Sequence, residues 1–158
     1  MHQGDQIQSV GFDTYLRELR DGLVGEWGSG WDDQIRVRAA PVLVPTDTAV
    51  VLALVVTELL TNAVKHAYGG APGPIDVAVC GGPDGAVRIA VADRGTGMER
   101  EERPGGFGSR LTRALMAQVR GGIELQDNRP GTRVVLTVPR PTRSGGRPEP
   151  DGGPPGAA

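Results

Sequence analysis

Cysteine, lysine and histidine are scarce in this chain, and each scarcity narrows what it can be. A single cysteine, Cys80, excludes an intramolecular disulfide framework and fits a reducing compartment. Beside Gly81 and Gly82, at the end of a strand-like run, it reads as a small apolar residue. No surplus of positive charge is present: the formal net charge is −2, so nothing draws the chain onto nucleic acid. The first residues, MHQGDQIQSVG, lack a charged region followed by an apolar one and do not form a secretory signal. The longest apolar run, 49–56, is too short to span a bilayer. A cytoplasmic location with no membrane segment is the expectation. At 158 residues and 38% hydrophobic content, one domain with its own core is expected. No internal repeat is visible.

Hydrophobic periodicity then lays out the elements. Phe12, Tyr15, Leu16, Leu19 and Leu23 recur at helical spacing, which predicts an amphipathic helix ending near Gly25. A strand is expected over 34–39, and a short apolar run over 42–44 closes at Pro45. Thr46 or Asp47 is the expected N-cap of a second helix, which Gly69, Gly70 and Pro72 terminate. Ile75, Val77 and Val79 alternate, 81–85 turns, and Val87, Ile89 and Val91 alternate again, predicting a hairpin. Leu111, Leu115 and Val119 mark a third helix. Strands over 123–125 and 133–138 flank a DNRPG turn. Residues 1–11 are read as a flexible N-terminus, 12–139 as the folded domain, and 140–158, rich in Pro and Gly, as a disordered tail. Helices interspersed with strand pairs suggest an α+β two-layer sandwich, a mixed and mainly antiparallel sheet with helices on one face.

The second helix carries the most informative pattern. Within AVVLALVVTELLTNAVKHAY (49–68), Glu58, Asn62 and Lys65 form one polar stripe, within roughly 60° of one another at 3.6 residues per turn. A helix apolar almost all round belongs in an interior, where a carboxylate and an ammonium are costly without partners. Lys65 is the only lysine, against sixteen arginines. A flexible amine acts as a point charge towards phosphate, so the stripe suggests a floor for an anionic, metal-bearing ligand. A buried hydrogen-bond network with Lys65 reaching to solvent fits the helix alone equally well.

Three glycine-bearing segments follow. Asp93-Arg94-Gly95-Thr96-Gly97 leaves a buried strand; a carboxylate there can accept from an amino group, and the glycines let a flat ring approach the backbone. An Asp-Gly turn is the plainer alternative. Gly105-Gly106-Phe107-Gly108 precedes the third helix, whose first N–H groups can hold phosphate. Gly131-Thr132 opens the last strand, with a hydroxyl within reach of a pocket. Taken singly, each segment also fits an ordinary turn or connector.

In their order, the polar-stripe helix, DxGxG, GxG before a helix and GT before a strand resemble the GHKL ATP-binding superfamily over about 12–139. ELLTNAVKHAY is similar to the N-box of sensor histidine kinases. GGFGSRLTRALMAQVRGGIEL, and FDTYLRELRDGL near the N-terminus, resemble the HWE/HisKA-2 type. The resemblance implies a Bergerat-type ATP-binding fold and two cofactors, ATP and Mg²⁺. It implies that Asn62 coordinates Mg²⁺ and that Glu58 is the catalytic residue, orienting or deprotonating the nucleophile. Lys65 would neutralise phosphate, with His66 at the rim near the ribose or phosphates. Asp93 would read the adenine amino group, Gly95 and Gly97 would shape its pocket, and Thr132 would support it. Gly106 and Gly108 would bracket the phosphates at the end of a mobile lid, 96–105.

One element of a histidine kinase is missing. The two histidines are His2 and His66; the first has no helical hairpin around it and the second belongs to the nucleotide helix. The expectation is a catalytic domain that acts on a histidine of a dimerisation domain supplied by another domain or chain, with a response regulator downstream. The alternatives are a stand-alone anti-sigma-factor serine kinase of the same superfamily and a nucleotide-binding module without transferase activity.

Overall fold

The computed structural model describes residues 8–82, 84–95 and 110–139. Ser9–Gly11 (β1) leads directly into Phe12–Trp27 (α1), and a 3₁₀ turn, Ser29–Trp31, joins α1 to Ile35–Ala39 (β2). Leu43–Pro45 (β3) precedes Thr46–Asn62 (α2), which runs into a π-helical turn, Ala63–Ala67. Ile75–Gly81 (β4) and Val87–Asp93 (β5) follow, then Arg110–Gln118 (α3), Gly122–Asp127 (β6) and Thr132–Val138 (β7). Five strands form one sheet in the order β2-β4-β5-β7-β6, in which β2 and β4 are parallel and every other pair is antiparallel. The expected α+β sandwich with a mixed, mainly antiparallel sheet is the fold observed.

The core lies on one face of that sheet. Ile75, Val77 and Val79 alternate with half-buried or exposed neighbours, and Val87, Ile89 and Val91, like Val134, Leu136 and Val138, form equivalent rows although Ala90 and Val135 between them are also buried. Since successive side chains point to opposite faces, these rows share the side covered by the helices. There they meet Leu52, Val55, Val56, Leu59 and Leu60 of α2, together with Phe12 and Leu16 of α1. Each large aliphatic side chain so buried contributes about 1.5–3 kcal/mol of transfer free energy. The segment Thr46–Ala67 has the length and composition to cross a membrane, a match the apolar run alone does not reveal. Its buried face belongs to the sheet's core, while Val50 and Leu54 on the same helix are exposed.

Several expectations are corrected. Neither Thr46 nor Asp47 caps α2: its N-cap is Pro45, with no side-chain cap bond. Thr46 instead donates from its backbone N–H (3.0 Å) and its Oγ1 (3.1 Å) to the Gln8 carbonyl. Ser9–Gly11, inside the stretch read as flexible, pairs antiparallel with Leu43–Pro45. In α3 the core face is turned by one residue. Thr112 and Met116 are buried and Leu115 and Val119 half-buried, while Leu111 is 60% exposed. Thr112 hides its hydroxyl there and keeps a polar partner.

The two edges of the sheet differ. On β2, Arg20 Nε donates to the Ile35 carbonyl (3.0 Å) and Arg17 to the Val37 carbonyl (3.5 Å). Arg20 also reaches the Asp32 carbonyl. Helix α1 thereby covers carbonyls that a lone edge strand would leave open.

Candidate nucleotide site

The core rows bring Asp93 to the helix side of the sheet. It continues the Val87, Ile89, Val91 alternation at the end of β5. Thr132 continues the Val134, Leu136, Val138 alternation at the start of β7, and the β5–β7 register sets the two side by side. Asp93 is 8% exposed. Its Oδ1 accepts from the Gly95 N–H (3.0 Å) and from the Thr132 N–H (3.2 Å). Among the described residues both bonds to this carboxylate use one oxygen, so the backbone fixes its orientation.

Other residues tighten this end of the sheet. Asn128 Nδ2 donates to the Asp93 carbonyl (2.7 Å). Gly131 has φ +106°, and a Cβ there would overlap the Asp93 carbonyl, so glycine meets both a backbone and a packing requirement. Tyr68 links the helix to the same loop: its hydroxyl accepts from the Arg94 N–H (2.7 Å) and donates to the Pro74 carbonyl (2.6 Å). Burial, reinforced by the nearby Asp93 charge, raises the Tyr68 phenol above its usual 10.0, against the opposing Arg94 N–H bond.

Gly95 closes against α2's extension. A Cβ at Gly95 would overlap Ala67, side chain and backbone alike. Ala67 lies five residues beyond Asn62, roughly 7 Å along a helix axis. The polar helix and the Asp93 loop are therefore joined at one end of the molecule.

On the helix, Glu58 and Asn62 sit one turn apart and are half-buried, whereas Lys65 and His66 are exposed. An interior stripe is thus corrected to one lying at the core's rim. After Asn62 the backbone widens into the π turn, whose i→i+5 bonding advances each residue by a smaller angle than an α-helix does. Lys65 is rephased relative to Glu58 and Asn62 by that turn. His66 has an interaction of its own. Gly97, Gly106 and Gly108, with the expected lid over 96–105, lie outside the described residues.

The donor chemistry fits a magnesium ion held mostly by its ligand. Among the described residues there is no group of three or more His, Cys, Asp or Glu side chains able to hold a metal. Magnesium is commonly bound through one or two protein oxygens plus phosphates and water, and the Asn62 carboxamide supplies one such oxygen.

Tyr68, Asn128 and Ala67 carry no site role in the motif pattern, and Gly131 enters it only as the glycine before Thr132. DNRPG reads as a turn on its own, and Tyr68 reads as the end of a helix. The signal available was their adjacency to recognised blocks: Tyr68 closes the ELLTNAVKHAY segment, and Asn128 stands three residues before Gly131.

A sheet with helices on one face, and a carboxylate at its strand ends joined to a polar helix, defines an ATPase-type nucleotide-binding domain. Residues 47–142 match the model for the histidine kinase-, DNA gyrase B- and HSP90-like ATPases, and the chain belongs to that family. A blue-light-activated histidine kinase of Erythrobacter litoralis is 32% identical over 112 residues, covering 68% of this chain and 32% of that protein. The chain thus spans about a third of that relative's length. The solved histidine kinase domain of an Erythrobacter litoralis blue-light activated histidine kinase has TM-score 0.71 and 25% identity, over 82% of this chain and 61% of that one. A mycobacterial sensor histidine kinase has the same fold, with TM-score 0.66 and 19% identity over 86% of this chain and 99% of that one. Family membership implies ATP binding, and the homology is to histidine kinase catalytic domains.

Proposed function

We propose that this chain is the ATP-binding catalytic domain of a sensor histidine kinase of the HWE/HisKA-2 type, acting in two-component signalling. It passes the γ-phosphoryl group of ATP to a histidine on a dimerisation domain supplied in trans or by another part of a longer protein. The observation that carries this reading is the Asp93 carboxylate, held through Oδ1 by two backbone N–H groups and joined through Gly95 and Ala67 to the helix bearing Glu58 and Asn62.

Asp93 accepts the adenine amino group through Oδ2, and Gly95 lets the ring lie close to the backbone. Thr132 supports that end. Asn62 directs its carboxamide oxygen towards magnesium, and Glu58, one turn away, orients the attacking imidazole or takes its proton. Lys65, exposed on the π turn, swings over the phosphates as a mobile point charge, with His66 at the rim. Magnesium, when bound, supplies charge neutralisation of the triphosphate and alignment for in-line transfer. Gly97, Gly106 and Gly108 complete the proposed site.

Incubation with labelled ATP and a separately made dimerisation domain tests the reading. Acid-labile, base-stable label on that domain is expected. Acid-stable phosphoserine on an antagonist protein points to the anti-sigma-factor kinase, and ATP binding without label on either points to a binding module. In the same assay Asn62→Asp should weaken Mg²⁺-dependent ATP binding by about tenfold or more while leaving the apo melting temperature nearly unchanged. Equal losses of melting temperature with and without nucleotide would contradict the role of Asn62.

A further inference from the structure

We infer that strand β6 is a docking edge for an extended acidic peptide that carries one apolar side chain. This inference is independent of the nucleotide site and rests on a contrast between the sheet's two edges. At β2, the outward carbonyls of Ile35 and Val37 are taken by Arg20 and Arg17. At β6, among the described residues, no side chain bonds the outward backbone groups.

The ladder tells which groups those are. Asn128 N–H donates to the Gly131 carbonyl, and hydrogen-bonded pairs alternate along an antiparallel ladder. Gln126, Glu124 and Gly122 therefore face Arg133, Val135 and Thr137 of β7. The N–H and C=O of Ile123 and Leu125 point away from the sheet. The strand GIELQD contains no proline and no lysine, two devices that blunt an edge against pairing.

Beside this edge lies a cavity of about 370 Å³, lined by Arg113, Met116, Gly121, Ile123 and Leu125. Ile123 and Leu125 enter it from β6, and Met116 from α3. An added strand uses main-chain bonds for affinity and side-chain pockets for selectivity, and a strand seated on β6 would turn alternate side chains to the helix side, where this cavity opens. Its apolar walls suit a leucine or valine.

Charge selects the rest of the occupant. Arg110, Arg113 and Arg120 are exposed along and just beyond α3, and residues 110–121 include no Asp or Glu. Arg113 already has an interaction, but a guanidinium offers five donors. On the helix side the wall is basic, while the exposed Glu124 of β6 turns to the opposite face, so acidic residues two positions from the apolar one, which share its face, fit the wall.

The test uses the full chain and a fluorescein-labelled hexapeptide, DELVDE, with DEGGDE as its counterpart. Expected are saturable binding of DELVDE by fluorescence anisotropy and amide shifts largest at Ile123 and Leu125. Binding should weaken by about tenfold for DEGGDE and for the exposed-charge reversal Arg113→Glu. Leu125→Pro, which removes one outward N–H, should lower affinity similarly, and Arg113→Glu should leave ATP affinity unchanged. Absence of binding, or equal binding of both peptides without shifts on β6, overturns the inference. So do β6 shifts that grow with protein concentration alone, which assign the edge to a second copy. Binding that appears only after removal of 140–158 assigns it to the chain's own tail and overturns it as well.

Discussion

At the scale of single residues, the site turns on which Asp93 oxygen the described backbone groups occupy. Asp93 spends Oδ1 on the Gly95 and Thr132 N–H groups, so an asparagine could keep both bonds through its own carbonyl oxygen. Asp93→Asn is therefore expected to fold normally and to bind ATP about tenfold or more weakly, because the accepting, charged oxygen is lost. Titration calorimetry checks this; unchanged affinities for ATP and GTP would contradict the adenine role. Tyr68 gives a pH-dependent prediction. Its raised phenol favours the protonated form in the fold, so its contribution to stability is complete below pH 10 and declines as pH rises through the folded-state value. Tyr68→Phe should flatten the alkaline limb of a stability–pH curve, measured by urea unfolding from pH 8 to 11. Asp93 and Asn62 were legible in the sequence because carboxylate and amide are conspicuous in apolar runs. Tyr68 and Asn128 were not, because their partners, the Arg94 N–H and the Pro74 and Asp93 carbonyls, are backbone groups, and backbone groups leave no mark in composition.

At the scale of elements, β4 and β5 are legible from alternation because their large apolar residues all lie on one face, with only the small Ala90 buried on the other face of β5. The third helix was harder. Leu111 fits the apolar period yet is exposed, while Thr112 is fully buried, a hydroxyl standing where hydropathy looks for a hydrocarbon. The π turn is not legible because period-3.6 reasoning assumes the α-helix continues, and the exposed Lys65 stands on it. Short strands such as Ser9–Gly11 hold too few residues to show alternation; only pairing with Leu43–Pro45 defines them. The coverage of β2 by α1 is testable at this scale. Arg17→Ala combined with Arg20→Ala should uncover the Ile35 and Val37 carbonyls and promote concentration-dependent self-association, measured by sedimentation velocity. The exposed Arg20–Asp21 pair, 2.8 Å, contributes little by comparison, so Asp21→Ala should leave the sedimentation profile unchanged.

At the scale of the whole molecule, the α+β sandwich followed from the succession of helical and strand patterns, and the order of four motif blocks gave the family. Strand order did not follow: nothing local in β2 announces that it lies parallel to β4, a strand reached only after β3 and α2. The domain's start is also a tertiary matter. Since Gln8 accepts from Thr46 and Ser9–Gly11 pairs with β3, we propose a boundary at residue 8 rather than 12. A chain of 8–139 should melt with the full-length protein, whereas 12–139 should melt lower by on the order of 5 °C, as calorimetry can measure.

The parallel contact between β2 and β4 also orders events in time. The β4–β5 and β6–β7 ribbons close short loops and can form early, but β2 must wait until the intervening chain, α2 included, has been brought back across the sheet. The helix that bears Glu58 and Asn62 is thus tied to a long closure, Ile35 to Ile75, comparable to the Ala92-to-Arg133 closure that joins the two ribbons. A weakened variant should surrender that helix first, its amides exchanging with solvent while the ribbons stay protected.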